Sequence, residues 1–212
     1  VIPYFKRFIK KFPTVESLAH APIDDVLKLW EGLGYYSRAR NLHKGANLVC
    51  DDYMGKLPES YEGLQKIPGI GPYCAAAIAS IAFGKKVPVV DGNVLRVFTR
   101  FWGIFDDIRQ PKVRDMLFEK LAVYIADVDP SSFNQGIMEL GALICSPKQP
   151  QCGVCPLQVD CFAYQAKKVG ELPVKSKQPK PPHYDIAVGL LFKDGRFLVA
   201  KRPDDKMLGG LW

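Results

Sequence analysis

Four of the six cysteines crowd into residues 145–161 with the spacing Cys145-x6-Cys152-x2-Cys155-x5-Cys161. Thiols this dense must either pair with one another or share a metal, so the segment has to close into a compact loop. Four thiolates complete the coordination of a 4Fe–4S cubane. A Cys-x2-Cys pair is also an element of tetrahedral zinc sites, and structural disulfides are the third alternative. The crowding points to metal and to a reducing compartment. Cys50 and Cys74 fall outside the pattern and read as core thiols.

Upstream of this loop the chain reads as an all-α domain. Pro13-Thr14-Val15-Glu16 and Ala21-Pro22-Ile23-Asp24-Asp25 have the composition of helix starts, with Thr14 and Asp24 as caps and acids in the first turns. Apolar residues at helical spacing predict helices over 24–31, 37–50, 73–83, 94–102 and 113–126. Short Pro/Gly breaks separate them, which disfavours alternating βαβ units. After Glu171-Leu172-Pro173 the character changes: 174–182 is Lys- and Pro-rich and reads as a linker. Lys193-Asp194-Gly195 between two apolar, branched runs is a hairpin signal, so a β-containing unit is expected from about residue 183.

Two further segments carry chemistry. In Leu64-Gln65-Lys66-Ile67-Pro68-Gly69-Ile70-Gly71-Pro72-Tyr73, a helix meets a Pro-Gly-x-Gly turn and a second helix begins near Pro72. Glycines that leave N–H groups unshielded, next to a helix N-terminus, make an anion site suited to a DNA phosphate; the plain alternative is an αα connection. In Val90-Asp91-Gly92-Asn93-Val94-Leu95-Arg96, Asp91 or Asn93 reads as a helix N-cap.

Together these segments resemble the helix-hairpin-helix DNA glycosylases, and among them the endonuclease III and MutY family. The cysteine spacing matches that family's cluster loop, and the hairpin at 64–73 followed by Val90–Arg96 matches its catalytic segment. Gly32-Leu33-Gly34-Tyr35-Tyr36-Ser37-Arg38-Ala39-Arg40-Asn41-Leu42 looks like the MutY type in particular. The resemblance implies a mainly α fold: a six-helix barrel with an iron–sulfur domain over 1–170, a linker over 171–182, and the start of a MutT-like (Nudix-like) domain over 183–212. It implies a 4Fe–4S cluster on Cys145, Cys152, Cys155 and Cys161, and a cation on the carbonyls of Gln65, Ile67 and Ile70. Asp91 would be the essential carboxylate, with Asn93 and Tyr73 positioning sugar and leaving group. Leu33 and Tyr35 would enter the duplex, Ile67, Gly69 and Gly71 would meet a phosphate, and Lys148 would be braced toward DNA. Arg38, Arg40, Lys44 and Lys66 are expected phosphate contacts, against the plain reading of solvated helix faces.

The formal net charge of +7 suits a polyanionic partner, and no apolar run approaches the roughly 20 residues that span a bilayer. The expected partner is double-stranded DNA carrying A:8-oxoguanine or A:G mispairs, with no membrane, bound by a monomer in a bacterial cytoplasm at the nucleoid. Bifunctional endonuclease III-like relatives carry a lysine two residues after the second hairpin glycine; here Tyr73 stands there, so a monofunctional adenine glycosylase is expected. The alternatives are an endonuclease III-like pyrimidine glycosylase and a non-catalytic DNA-binding module. Val1 and Trp212 carry no terminal signals, and the family's general-acid glutamate and Gln-Gln-Thr segment would lie before Val1. The chain is therefore expected to be part of a longer protein and impaired alone. Glu16, Glu31 and Glu139 do not match the motif of that acid.

Overall fold

The computed structural model describes residues 1–177, 181–183, 185, 189–203 and 209–210, and divides into two compact units, Val1–Ser176 and Lys177–Trp212. The first unit is helical, as expected. Its helices are α1 (Ile2–Lys11), α2 (Val15–Ala19), α3 (Ile23–Trp30), α4 (Ser37–Tyr53), α5 (Tyr61–Gln65), α6 (Pro72–Ile81), α7 (Gly92–Trp102), α8 (Pro111–Ile125), α9 (Pro130–Glu139) and α10 (Phe162–Gln165). A π-helical turn, Leu140–Ile144, follows α9, and a 3-10 turn, Cys152–Val154, lies within the cysteine loop.

Local chemistry explains most of these boundaries. Thr14 caps α2 in a reciprocal capping box with Ser17. Asp24 does not cap α3, contrary to expectation: the helix already starts at Ile23 behind Pro22, and Asp24 lies in the acidic first turn. Asp91 caps α7, and Gly103, left-handed at φ 66°, ends it. The helix before the hairpin ends at Gln65, two residues earlier than predicted. α1 and α9 were not anticipated as separate helices, although Asp129 caps α9 and Pro130 occupies its first turn.

Two cores hold the unit together. One gathers Val90, Val94, Leu95, Val97, Phe98, Val113, Leu117 and Leu121 from α7, α8 and the segment before α7. The other gathers Val49, Leu64, Ile67, Ala75 and Ala79 from α4, α5 and α6. α4 also receives α2 and α3, while α9 packs on both α6 and α7 and so bridges the cores. Asn134 on α9 is the polar pin of that bridge and is 1% exposed. Its Oδ1 accepts from Val89 N at 2.9 Å, and its Nδ2 donates to Ser80 Oγ at 2.8 Å and to Val87 O at 3.0 Å. The unit does not end at the helices: Ile108 N donates to Val174 O at 3.1 Å, and Ser176 N to Asp107 Oδ2 at 3.2 Å.

In the second unit, β1 (Phe192–Lys193) and β2 (Arg196–Phe197) form an antiparallel hairpin, with Phe192 opposite Phe197. Asp194 and Gly195 turn it with φ of 50° and 70°, the pair of left-handed residues a tight two-residue hairpin needs. The predicted strands were longer; residues 186–188 of the first lie outside the described residues. Among the described residues no helix is long and apolar enough to cross a membrane.

Removing the Asn134 amide strands three partners, of which Val89 N and Ser80 Oγ are buried. Asn134→Ala is expected to lower the free energy of unfolding by about 3 kcal/mol. Urea denaturation followed by circular dichroism measures it, and a loss below about 1 kcal/mol would show that α9 does not depend on this pin.

Candidate functional site

The hairpin is built on α4. Gly45 of α4 is buried beneath it: a Cβ there would come within 3.0 Å of Ile67 Cγ2 and 3.1 Å of Pro68 O. Gly69, at φ 86°, lies against Asn41, whose Cβ would be 2.8 Å from an added Cβ. The turn therefore needs glycine at 69 for both conformation and space. Gly71 has open space around its Cα and caps α6 from an extended backbone conformation. Ile67 is 4% exposed, so its side chain belongs to the core and only its backbone can meet a ligand. Its carbonyl already accepts from Ile70 N at 3.0 Å. Gln65 and Lys66 are exposed beside the turn.

Tyr73 stands in the first turn of α6, two residues beyond Gly71. Burial pushes its hydroxyl above the usual tyrosine value, and the Asp91 charge pushes it further. The phenol therefore stays protonated across neutral pH and can donate a hydrogen bond. This coupling also places Asp91 within electrostatic reach of the hairpin helix.

Asp91 is held on both oxygens. Its Oδ1 accepts from Asn93 N at 2.9 Å and from Val94 N at 2.8 Å; its Oδ2 accepts from the Asn93 side-chain amide at 3.0 Å. Asn93 Oδ1 in turn accepts from Arg96 Nη2 at 2.8 Å. Arg96 also donates from Nη2 to Gly141 O at 2.7 Å and from Nε to Cys145 O at 2.7 Å. Burial lowers the Arg96 pKa, but a guanidinium starts so far above neutrality that it remains charged. One turn on, Arg100 donates to Leu172 O at 2.8 Å, Ser146 O at 2.9 Å, Pro147 O at 3.1 Å and Cys145 Sγ at 3.3 Å. A chain of hydrogen bonds thus runs from the Asp91 carboxylate to the cysteine loop.

All six cysteines are free in the structure. Cys145, Cys152, Cys155 and Cys161 line one cavity of about 30 Å³ together with Arg100 and Tyr164. Among the described residues no three His, Cys, Asp or Glu side chains are gathered as a single-ion site. Cys50 and Cys74 are half-buried rather than fully in the core.

Tyr35 projects from the α3–α4 connection, 82% exposed, while Leu33 behind it is half-buried. Arg38, Lys44 and Lys148 are exposed and Arg40 is half-buried. Asp91 and Asn93, grouped by sequence reasoning, are hydrogen-bonded to each other, whereas Arg96, Arg100 and Gly141 were assigned no role. The two arginines were findable: they stand one turn apart amid Val94, Leu95, Val97 and Phe98, so burying that helix has to bury them too.

Residues 1–122 match the family described as the HhH-GPD superfamily of base excision DNA repair proteins. The chain is 41% identical over 177 residues to the adenine DNA glycosylase of Buchnera aphidicola from Schizaphis graminum, covering 84% of this chain and 51% of that protein. It therefore spans about half the length of that curated relative. Among solved structures, a thermostable thymine-DNA glycosylase matches with a TM-score of 0.69 at 28% identity, over 77% of this chain and 76% of that one. A trapped endonuclease III–DNA covalent intermediate matches with a TM-score of 0.64 at 27% identity, over 78% and 76%.

Gly141, in the π-helical turn that leads into the cysteine loop, packs directly against Asn93 beside Asp91. An added Cβ would sit 2.6 Å from Asn93 Cβ and 3.1 Å from its Cα, so Gly141→Ala must push the two backbones apart. A stability loss of about 1–3 kcal/mol is expected, with faster hydrogen exchange at the Asn93 and Val94 amides. Unchanged exchange at those amides would show that the loop does not brace the carboxylate.

Proposed function

The chain belongs to the HhH-GPD superfamily of base excision DNA repair proteins, and from that premise we propose that it forms the glycosylase part of an adenine DNA glycosylase. The reaction is hydrolysis of the N-glycosidic bond of adenine opposite 8-oxoguanine or guanine, after the nucleotide is drawn out of the duplex. The observation that carries this reading is the Asp91 carboxylate, locked at the start of α7 and electrostatically coupled to Tyr73 of the hairpin helix.

The hairpin supplies the backbone N–H groups and helix start that suit a phosphate, with Gly69, Gly71 and Lys66 on that side. The exposed Tyr35 ring is the group suited to wedge between bases, with Leu33 in the same connection. As the glycosidic bond lengthens, the sugar gains oxocarbenium character, and Asp91 is the fixed negative charge that stabilises it. Asn93 keeps that carboxylate from rotating. Tyr73 offers a hydroxyl donor where a bifunctional relative would offer an amine, so water is the final nucleophile and no Schiff base forms.

The cysteine loop suits a 4Fe–4S cluster on Cys145, Cys152, Cys155 and Cys161. Four half-buried thiols face one cavity, and an arginine donates to one of them. Its contribution would be architectural: it would tie four points of the loop together behind Arg96 and Arg100. A cation at the carbonyls of Gln65, Ile67 and Ile70 is not needed for this reading.

Three measurements test it. In the full-length protein, which would supply the general-acid glutamate, adenine release from an A:8-oxoguanine duplex is expected, with none of a pyrimidine base from oxidised-pyrimidine duplexes; the opposite preference would move the protein to the endonuclease III-like group. Asp91→Asn is expected to lower the single-turnover rate by about two orders of magnitude or more while DNA affinity survives. Near-normal turnover in that variant would take the chemistry away from Asp91. Aerobically purified protein is expected to be brown with broad visible absorbance that bleaches on iron chelation. A colourless, zinc-containing preparation would remove the cluster.

A further inference from the structure

The connection between α3 and α4 is built more firmly than a passive loop requires. Gly32, Gly34 and Tyr35 are all left-handed, at φ 88°, 68° and 49°. For tyrosine this conformation carries a penalty, and a side chain 82% exposed gains little burial to offset it. Strain of this kind persists only when neighbours over-determine it. Here they do. Trp30 Nε1 donates to Gly34 O at 3.1 Å, and the Trp30 ring meets Phe8 of α1 edge-on at 6.0 Å. Tyr4 closes the Gly32 side, its hydroxyl 2.6 Å from where a Cβ would stand. Arg38 N donates to Tyr35 O at 2.9 Å.

The Arg38 side chain completes the arrangement. Its guanidinium carbon lies 5.6 Å from the centroid of the Tyr35 ring and 5.6 Å from that of Trp30. Both distances are within cation–π range. A planar guanidinium can lie against two rings at once, which a lysine ammonium cannot do in the same way.

We propose that Arg38 is a positioning residue for Tyr35: its guanidinium, shared between the Trp30 and Tyr35 rings, orders the exposed tyrosine before DNA arrives. This rests on the reading of Tyr35 as the wedge. On this reading Arg38 acts chiefly through the two aromatic faces rather than as a phosphate contact. A wedge ordered in the free protein gives up less freedom when it enters the duplex, so base extrusion becomes faster.

The test has two arms. In the DNA-free protein, NMR is expected to show the Arg38 δ-methylene protons shifted upfield by the rings, with part of the shift lost in Tyr35→Leu. On DNA, stopped-flow fluorescence of a base analogue beside the target reads extrusion. Arg38→Gln and Arg38→Lys are each expected to slow it roughly three- to fivefold, the size of an exposed cation–π contact. Neither should slow it further in a Tyr35→Leu background, and the salt dependence of affinity should stay unchanged. A normal rate in Arg38→Lys, together with a salt slope that falls by about one in Arg38→Gln, would make Arg38 a phosphate contact and overturn the proposal. Independent, additive losses in the Tyr35→Leu background would overturn it as well. If Tyr35→Leu alone leaves extrusion normal while the upfield shift is present, the wedge reading falls, and the persisting shift tells that failure from a failure of the Arg38 contact.

Discussion

Two buried guanidinium groups, one helical turn apart in α7, govern how the second half of the helical unit is assembled. Arg96 is 8% exposed and Arg100 3% exposed. An unpaired charge in that position costs several kcal/mol, so α7 can be buried only where carbonyl groups converge on it. The acceptors come from Gly141, Cys145, Ser146, Pro147 and Leu172. This requirement gives the π-helical turn a physical role: it brings Gly141 O and Cys145 O to the same guanidinium, and Cys145 N closes the turn on Leu140 O at 2.7 Å. It also accounts for glycine at 141, since any side chain there would strike Asn93. The cysteine loop and the carboxylate segment are in this sense one device, joined through arginine.

The hairpin answers to a different core. Gly69 is dictated by close contact with Asn41 of α4, and the turn packs on the core shared by α4, α5 and α6. What joins the two halves is α9, which packs on both α6 and α7 and pins the strand-like segment before Asp91 through Asn134. The hairpin turn and the Asp91 carboxylate, to which the proposed function assigns phosphate binding and catalysis, are thus set on separate scaffolds joined through a buried amide. Small errors in that placement are costly in catalysis, where misplacement by about 1 Å can cost two orders of magnitude in rate.

Features written in local chemistry were legible in the sequence. The Thr14 and Asp91 caps, the Pro-Gly-x-Gly turn, the left-handed Asp194-Gly195 hairpin and the clustering of four thiols each depend on residues close together in the chain. The misses have equally definite causes. Asp24 looked like a cap because an acid before an apolar run usually is one, but Pro22 starts α3 earlier. α9 escaped because Ser, Asn, Gln and Gly dilute its apolar spacing, and its Asp129-Pro130 start signal was passed over. The Arg96 and Arg100 acceptors lie more than forty residues away in sequence, and backbone carbonyls carry no sequence signal at all. At Ile67 the apolar side chain turns into the core, as a Leu64–Ile67 pair before a turn would do in any αα connection, which leaves only its backbone for a ligand.

Capping and catalysis are often weighed against each other when an aspartate begins a helix, yet in the reaction proposed for Asp91 the first would make the second possible. A carboxylate offers about four lone-pair sites, and the structure uses three: two on Oδ1 for the α7 amides and one on Oδ2 for Asn93. The cap is worth about 1 kcal/mol to the helix, which is too little to explain a second anchor reaching through Asn93 to Arg96. That anchor makes sense if orientation matters beyond stability. A charge that must face a developing cation stabilises it best when it has no reorganisation left to undergo, because folding has already borne that cost. The remaining lone-pair capacity lies on Oδ2, the oxygen whose direction Asn93 sets, so the amide determines where the uncommitted negative charge points.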